Sequence, residues 1–431
     1  MDIKKQMEIK IPSEATYIIE TLENSGFAAY VVGGCVRDCI LGKEPGDWDI
    51  CTSAPPEQSL QIFSGEHIIE TGLCHGTITL VLNGSPFEIT TFRKDGAYSD
   101  NRRPDSVEFV SELKSDLSRR DFTINAMAYS KKEGIIDYFG GSFDLQNKLV
   151  RCVGDADRRF CEDALRIMRA LRFASTLGFA IEKNTAEAME KNKKLLGNIA
   201  AERIARELNL LLLGQGAKNT MASHNLVISE ILPEAEPIGS GHFAHVLDCI
   251  SAAPPDLAIR LSMFFCSRQI AKKALMRLKS DNATISEVEC LVLHRNAPLC
   301  PDRINLKRWL NRLGERMLKK LIEAKKAEAM VGDEKCRQAM LNEISLQIDT
   351  IIGQRQCYSL KDLAINGRDL IDAGVKEGPL IGEILGRLLD MVIDEQVENE
   401  KSALINEAPF PRSGNMCSEY ERSSYAAHTN R

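Results

Sequence analysis

The 431-residue sequence predicts an α+β protein: a small mixed sheet with helices packed on it, followed by an all-helical extension. Two observations carry that prediction. Up to about residue 150, short runs rich in β-branched and aromatic residues alternate with Gly, Pro and Asn, the texture of strands and turns. From about residue 155 the apolar residues recur at three- and four-residue spacing, which is the helical period.

Taken in order, residues 14–24 form an amphipathic helical pattern, followed by a strand at Ala28–Val32 and a second helix over 35–41. Trp48–Cys51 reads as a strand and 56–63 as a helix. Thr77–Leu82 and Phe87–Phe92 are strands, and Asn83-Gly84 between them is a hairpin turn, because both residues tolerate positive φ. Helices are expected at Asp163–Leu177, Thr185–Leu196 and Ala200–Leu213, with Gly178, Gly197 and Gly214 at their ends. Turns fall at Pro254-Pro255 and at Pro298 to Pro301, and 305–345 and 379–396 are amphipathic helices. Residues 409–431 are polar and aperiodic, so a disordered tail is expected. These breaks divide the chain into 1–150, 151–225, 226–304, 305–408 and the tail.

Bulk properties narrow the function classes. No apolar run reaches the roughly eighteen residues of a membrane span, and MDIKKQMEIKIPSEA lacks an apolar signal core, so a cytoplasmic protein is expected. The 13 cysteines include no C-x-x-C pair, which argues against a disulfide framework and a zinc site. Net charge is −6, yet residues 301–340 hold eleven Lys or Arg against six Asp or Glu. Arg308, Arg312, Arg316, Lys319 and Lys320 in that stretch are a candidate surface for a phosphate backbone, and equally a solvated helix face.

The chemistry centres on Asp47-Trp48-Asp49. On a strand, residues i and i+2 point to one side, so two carboxylates would share a spot. Adjacent like charges favour a cation between them, and Mg²⁺ suits attack on a phosphoryl group. Glu88 points away from Phe87 and Ile89 on a neighbouring strand and is a candidate third acid. D-x-D also occurs on solvated surfaces, but here it follows Val31-Val32-Gly33-Gly34-Cys35-Val36-Arg37-Asp38. The glycines let backbone N–H groups approach a phosphate near a helix start, and Arg37 adds a charge-assisted contact.

GGCVRD followed by GDWDICTSAPPEQ resembles the head of the class II tRNA nucleotidyltransferases and bacterial poly(A) polymerases, of the polymerase-β-type superfamily. The likeness continues through TGLCHGTITLVLNG, FEITTFRKDGAYSDNRRPDSVEFV, LSRRDFTINAMAYS, IIDYFGGSFDLQNKLVRCVG and RRFCEDALRIMRALRFASTLGF, in the family's order. A weaker likeness returns at Ile365–Ile371 and Val397–Lys401. The resemblance implies a nucleotidyltransferase head at 1–150, a helical neck at 151–225 carrying the base-recognition residues, a body at 226–304 and an RNA-binding tail at 305–408. It implies Asp47 and Asp49 as metal ligands, and Gly34, Arg37, Arg120, Arg169 and Arg172 as nucleotide contacts. A loop at Asp95–Arg103 is associated in the family with addition of the terminal A.

Glu162-Asp163-Ala164-Leu165-Arg166 carries the choice of base. Asp163 and Arg166, three residues apart, are expected on one helix face. Cytosine and adenine each present an amine beside an acceptor nitrogen. A carboxylate accepts from the first and a guanidinium donates to the second. Uracil and guanine present the reverse, and each mismatched buried polar group costs about 1–3 kcal/mol. The resemblance implies the same role for this pair. Read on its own, it is a helix-surface ion pair. In Arg119-Arg120-Asp121-Phe122-Thr123-Ile124-Asn125, Asp121 is expected to cap a helix starting near Thr123.

The expected function is template-independent addition of C, C and A to tRNA from CTP and ATP. Two alternatives within the class are an A-adding enzyme and a poly(A) polymerase, although the latter's arginine-rich stretch is replaced here by TGLCHGTIT. A non-catalytic RNA-binding protein is the alternative outside it, and the intact Asp47 and Asp49 speak against that.

Overall fold

The structure is a computed structural model that describes residues 8–96, 106–235 and 241–408. The disordered tail expected at 409–431, and most of the loop at 95–103, lie outside the described residues. The chain divides into two compact units, one ending at Val292 and one beginning at Leu293.

The first unit opens with α1 (Ser13–Asn24), β1 (Ala29–Val32), α2 (Gly34–Ile40), β2 (Ile50–Thr52) and α3 (Pro56–Ile62). Then come β3 (His67–Ile69), β4 (Thr77–Leu82), β5 (Ser85–Thr91), β6 (Arg93–Asp95), β7 (Val107–Phe109) and α4 (Leu113–Ser118). The sheet portion closes with β8 (Met127–Ser130), β9 (Gly134–Asp137), α5 (Gly141–Gln146) and β10 (Leu149–Val150). Seven strands form the main sheet in the order β3-β4-β5-β2-β1-β8-β9. Only β2 and β5 run parallel, so the sheet is mixed, as the sequence predicts. Asn83 and Gly84 have φ of 50° and 80° in the two-residue β4–β5 turn, the positive-φ pair that such a hairpin requires. The strands at His67–Ile69, Arg93–Asp95, Val107–Phe109, Met127–Ser130 and Gly134–Asp137 are too short or too weakly alternating to have been read beforehand.

The core against this sheet is apolar. Val32, Cys51, Phe92, Leu117, Ala126, Ala128 and Val153 are buried together. Gly141 is fixed by space: a Cβ there would collide with the Thr123 carbonyl and with Met127.

The helical portion begins with α6 (Ala156–Glu162) and α7 (Leu165–Leu177), followed by β11 (Ala180–Ile181), α8 (Lys183–Asn192) and α9 (Ala201–Leu213). One expectation needs correction here. Residues 162–172 are not one helix: the chain breaks at Asp163, whose φ/ψ of −138°/102° are extended. The Asp163 carboxylate accepts the Leu165 amide at 3.1 Å, and its carbonyl accepts Arg166 N at 3.0 Å. Aspartate competes for backbone N–H groups in this way, which makes it a poor helix-interior residue and a good starter. Helix α7 then buries Leu165, Ile167, Met168, Ala170, Leu171, Phe173 and Ala174, and ends at Gly178 in the left-handed region.

In the second unit the long helix Arg303–Val331 is interrupted at Gly314 (φ 73°, ψ 163°), a conformation open to glycine. Lys335–Gly353 packs along it, and a separate core gathers Leu370, Ile384, Leu388, Ile393 and Leu404 around Pro379–Ile393. Among the described residues no helix is long and apolar enough to cross a membrane.

Candidate active site

One cavity of about 470 Å³ brings together Gly33, Gly34, Arg37, Asp47, Asp49, Arg119, Arg120, Asp121, Asn125, Asp163, Arg166, Arg169, Arg172 and Phe173. All ten residues assigned from sequence to metal, phosphate or base lie in the first unit, and nine of them line this space; Glu88 does not.

Asp47 and Asp49 sit just before β2 rather than on it, a second correction to the sequence reading. The strand is shorter because Gly46 precedes it and pairing with β1 begins at Ile50. The backbone is nonetheless drawn in, with Val32 N donating to the Asp49 carbonyl at 3.0 Å. The alternation survives: both aspartates face the cavity, while Trp48 lines a separate one. Burial pushes the Asp49 carboxyl up to about 6, and the charges of Asp47 and Glu88 add to this while Arg120 opposes it. Glu88 is exposed on β5, which runs parallel to β2 and pairs Ile89 with Ile50, so Glu88 stands one step before that pair, level with Asp49.

This donor set fits a divalent cation. It is all oxygen, Asp49 is half-buried beside the exposed Asp47, and the two carboxylates repel each other with one arginine to offset them. Among the described residues no three acidic, His or Cys side chains converge on one point, so the pair Asp47 and Asp49 is what the geometry offers.

Arginines furnish the remainder of the wall. Gly33, at φ 84°, turns the chain from β1 into α2, and a Cβ there would lie 3.0 Å from Arg120 Nη1. Only glycine leaves the guanidinium that space. Arg37 donates to Asp38 at 2.9 and 3.0 Å and, through Nη1, to Asn125 Oδ1 at 2.7 Å. Asn125 Nδ2 donates onward to Asp121 Oδ1 at 3.2 Å. Asp121 does not cap a helix starting at Thr123: that segment is a single 3₁₀ turn whose cap position is Phe122. Its carboxylate accepts the Phe122 amide and holds Arg169 instead. Arg120, half-buried, neighbours Asp116, which is itself fully buried and paired with Arg119 at 2.8 Å.

Arg172 pairs with the buried Glu207 of α9 at 2.7 Å. Beneath these side chains lies Phe173, with the guanidinium carbons of Arg37, Arg169 and Arg172 at 5.2, 5.4 and 4.1 Å from its ring centroid. The ring in turn meets Phe122 edge-on at 5.7 Å. Such contacts are each worth about 0.5–2 kcal/mol and let like charges gather. Six arginines therefore face four aspartates around the cavity, an electrostatic trap for a polyanion.

Asp163 and Arg166 are not partners of each other. Arg166 donates to Glu162 Oε2 at 3.0 Å, to the Arg159 carbonyl at 3.4 Å and to the Arg119 carbonyl at 3.1 Å. Asp163 faces Arg203 of α9 at 3.6 Å. Both remain on the cavity wall with hydrogen-bonding capacity to spare, since a guanidinium has five N–H donors and a carboxylate about four acceptor sites.

Sequence reasoning missed Phe173, Asn125, Glu162, Arg203 and Glu207. Their signal was indirect: each buried arginine requires a carboxylate or a π face, and RRDFTIN and AERIAREL supply them.

The tail arginines behave differently. Arg308 forms a two-pronged pair with Asp394 at 2.6 Å, Lys319 is shared between Glu315 and Asp349, and Arg312 lies 5.2 Å from the Trp309 ring centroid. Arg316 and Lys320 lie further along the same helix.

Comparison with known proteins gives the chain a family. Residues 29–151 match the family model for the poly A polymerase head domain. Residues 178–237 match that for "Probable RNA and SrmB-binding site of polymerase A", and 258–408 that for tRNA nucleotidyltransferase domain 2. The chain is 36% identical over 397 residues to a CCA-adding enzyme of Lactobacillus delbrueckii subsp. bulgaricus, covering 91% of this chain and 96% of that one. It is 38% identical over 412 residues to a CCA-adding enzyme of Limosilactobacillus fermentum, covering 92% and 97%. The crystal structure of the Bacillus stearothermophilus CCA-adding enzyme in complex with CTP superposes with a TM-score of 0.72 at 30% identity, over 92% of this chain and 97% of that one. A Thermotoga maritima CCA-adding enzyme complexed with tRNA shares the fold, with a TM-score of 0.63 at 22% identity. Matched along nine-tenths of its length, this chain belongs to the CCA-adding enzyme family.

Proposed function

We propose that the protein adds C, C and A in turn to the 3′ end of tRNA, drawing on CTP and ATP, and that it works in the cytoplasm. The observation that carries this reading is the shared cavity: an aspartate pair, an arginine wall and a carboxylate–guanidinium reader face one volume of about 470 Å³. That is the inventory for joining a nucleotide to a hydroxyl and for choosing the base without a template strand.

Asp47 and Asp49 would hold Mg²⁺, which when bound supplies charge neutralisation for the reacting phosphate and a lowered pKa for the attacking hydroxyl. The hydroxyl oxygen forms a bond to the α-phosphorus, and pyrophosphate leaves with the electrons of the broken P–O bond. Arg37, Arg120, Arg169 and Arg172 bind the triphosphate, with Gly33 and Gly34 allowing close approach of the backbone. Asp163 accepts from the amine of cytosine or adenine, and Arg166 donates to the adjoining ring nitrogen. Glu88 acts through its charge on Asp49. The head and neck would supply the nucleotide site from 1–150 and 151–225. The body and tail, 226–304 and 305–408, would hold the RNA by phosphate and shape, Arg308, Arg312, Arg316, Lys319 and Lys320 among the contacts.

An extension assay tests this. With Mg²⁺, tRNA lacking its CCA end should receive two C and then one A, refuse U and G, and receive nothing from Asp47→Ala. Addition of A alone, to a CC end or as a long tail on many RNAs, would move the assignment to an A-adding enzyme or a poly(A) polymerase. No incorporation on any RNA would leave an RNA-binding protein.

A further inference from the structure

Asp163 is supported from behind. One carboxylate oxygen, Oδ1, accepts the Leu165 amide at 3.1 Å, and the other, Oδ2, faces Arg203 Nη2 at 3.6 Å. Arg203 projects from α9 and does not line the cavity. Its Nη1 is buried and finds no acceptor among the described residues. The arginines of the cavity wall are committed elsewhere: Arg166 to Glu162, Arg169 to Asp121 and Arg172 to Glu207. Among the described residues, Asp163 is the one carboxylate to which Arg203 is ion-paired.

We infer that Arg203 is a positioning residue for base selection: it fixes Asp163 as an ionised, acceptor-only carboxylate and so sets how firmly uracil and guanine are refused. This rests on the proposed base-reading role of Asp163.

The chemistry is direct. An ionised carboxylate offers only acceptors, so it repels the carbonyl of uracil or guanine that would occupy the place of the amine. A protonated one gains an O–H donor, which meets that same carbonyl favourably. Selection therefore depends on the charge state of one group. Burial works against the ionised form of Asp163, and Arg203 is foremost among the charges that oppose it, followed by Arg166 and Arg169 of α7. Those two are already offset by Glu162 of α6 and by Asp121. Arg203 also restricts orientation, because Oδ1 and Oδ2 have different partners while Asp163 lines the cavity.

The test compares wild type, Arg203→Met and Arg203→Lys in single-turnover extension. A against G is read on tRNA ending in CC, and C against U on tRNA lacking CCA, with saturating Mg²⁺. Ratios cancel any effect on the hydroxyl, the metal or the amount of folded enzyme. In R203M both ratios are expected to fall about tenfold, one mismatch's worth of discrimination, and to fall further on going from neutral to acidic pH as Asp163 takes up its proton. R203K, which keeps the charge without the fork, is expected to show a smaller change of the same sign. Ratios unchanged in both variants at both pH values, with the four nucleotides slowed equally, would overturn the inference and leave Arg203 a scaffold residue. Asp163→Asn run alongside separates the two levels: if it keeps wild-type selectivity, the base-reading role of Asp163 itself has failed.

Discussion

Arg169 and Asp121, 48 residues apart in sequence, are joined at one oxygen: Asp121 Oδ2 accepts Arg169 Nε at 2.7 Å and stands 2.6 Å from Arg169 Nη2. The pair crosses from the sheet-bearing part of the first unit to α7. Through Asn125 it continues to Arg37, so two arginines of the cavity wall are aligned by one buried acid.

That relationship gives the first prediction. Burial pushes the Asp121 carboxyl up, but Arg169 and Asn125 outweigh it and hold it at about 2. Its unfolded value is about 3.9, so the folded pKa is the lower one. The resulting stability is fully present above about pH 4 and is lost as pH falls through about 2, a contribution of about 2–3 kcal/mol. Asp121→Asn should lower stability by at least that amount at neutral pH, since it leaves Arg169 uncompensated, and the gap to wild type should close in acid. Denaturant unfolding of both proteins across that pH range checks this.

Phe173 provides the second. Phe173→Leu removes the π face beneath three guanidinium groups while keeping an apolar side chain at a position 6% exposed. The KM for CTP and ATP should rise about tenfold, equivalent to about 1.4 kcal/mol, with a smaller change in kcat. Phe173→Tyr should restore most of it. Steady-state kinetics on the three proteins decide the matter, and equal losses in kcat would speak for general disruption.

How much of this was legible beforehand depends on the range of the interaction. The Gly33-Gly34 turn, the aspartate pair and the Asn83-Gly84 hairpin are local, and each was read from a few neighbouring residues. The break at Asp163 was not: the helix was expected to include Asp163, but that side chain captures the Leu165 amide and the helix begins at Leu165. Phe173 looked like another core residue on α7, since periodicity reports burial and not which cations lie over a ring. Arg308 looked free because its carboxylate, Asp394, lies 86 residues further on.

A third prediction concerns Asp49, whose pKa is raised to about 6 by burial and by Asp47 and Glu88. Here the folded value exceeds the unfolded one of about 3.9. Stability is greatest below about pH 4 and is lost as pH rises through about 6, when the buried carboxylate ionises. In chelator above that pH, Asp49→Asn should therefore be more stable than wild type by ~1–2 kcal/mol while being inactive in extension. Saturating Mg²⁺ should erase the difference by binding wild type alone. Thermal melts with and without Mg²⁺ test both statements.

The fourth separates the tail residues. Arg308 is committed to Asp394, whereas Arg312 rests on Trp309 with its charge exposed. Arg312→Ala should weaken tRNA binding and lower the slope of log K against log salt by about 1, as expected when one phosphate contact is lost. Arg308→Ala should change that slope less, because removing it also frees Asp394. Filter binding at several salt concentrations distinguishes them.

The break in the chain at Asp163 also divides labour in time. A nascent chain that has emerged from the ribosome only as far as residue 150 already owns Asp47, Asp49, the Gly33 turn and Arg37. It lacks Arg169, the guanidinium that holds the Asp121 carboxylate low. The cavity wall is complete only once residues 163–173 have supplied Asp163, Arg166, Arg169, Arg172 and Phe173.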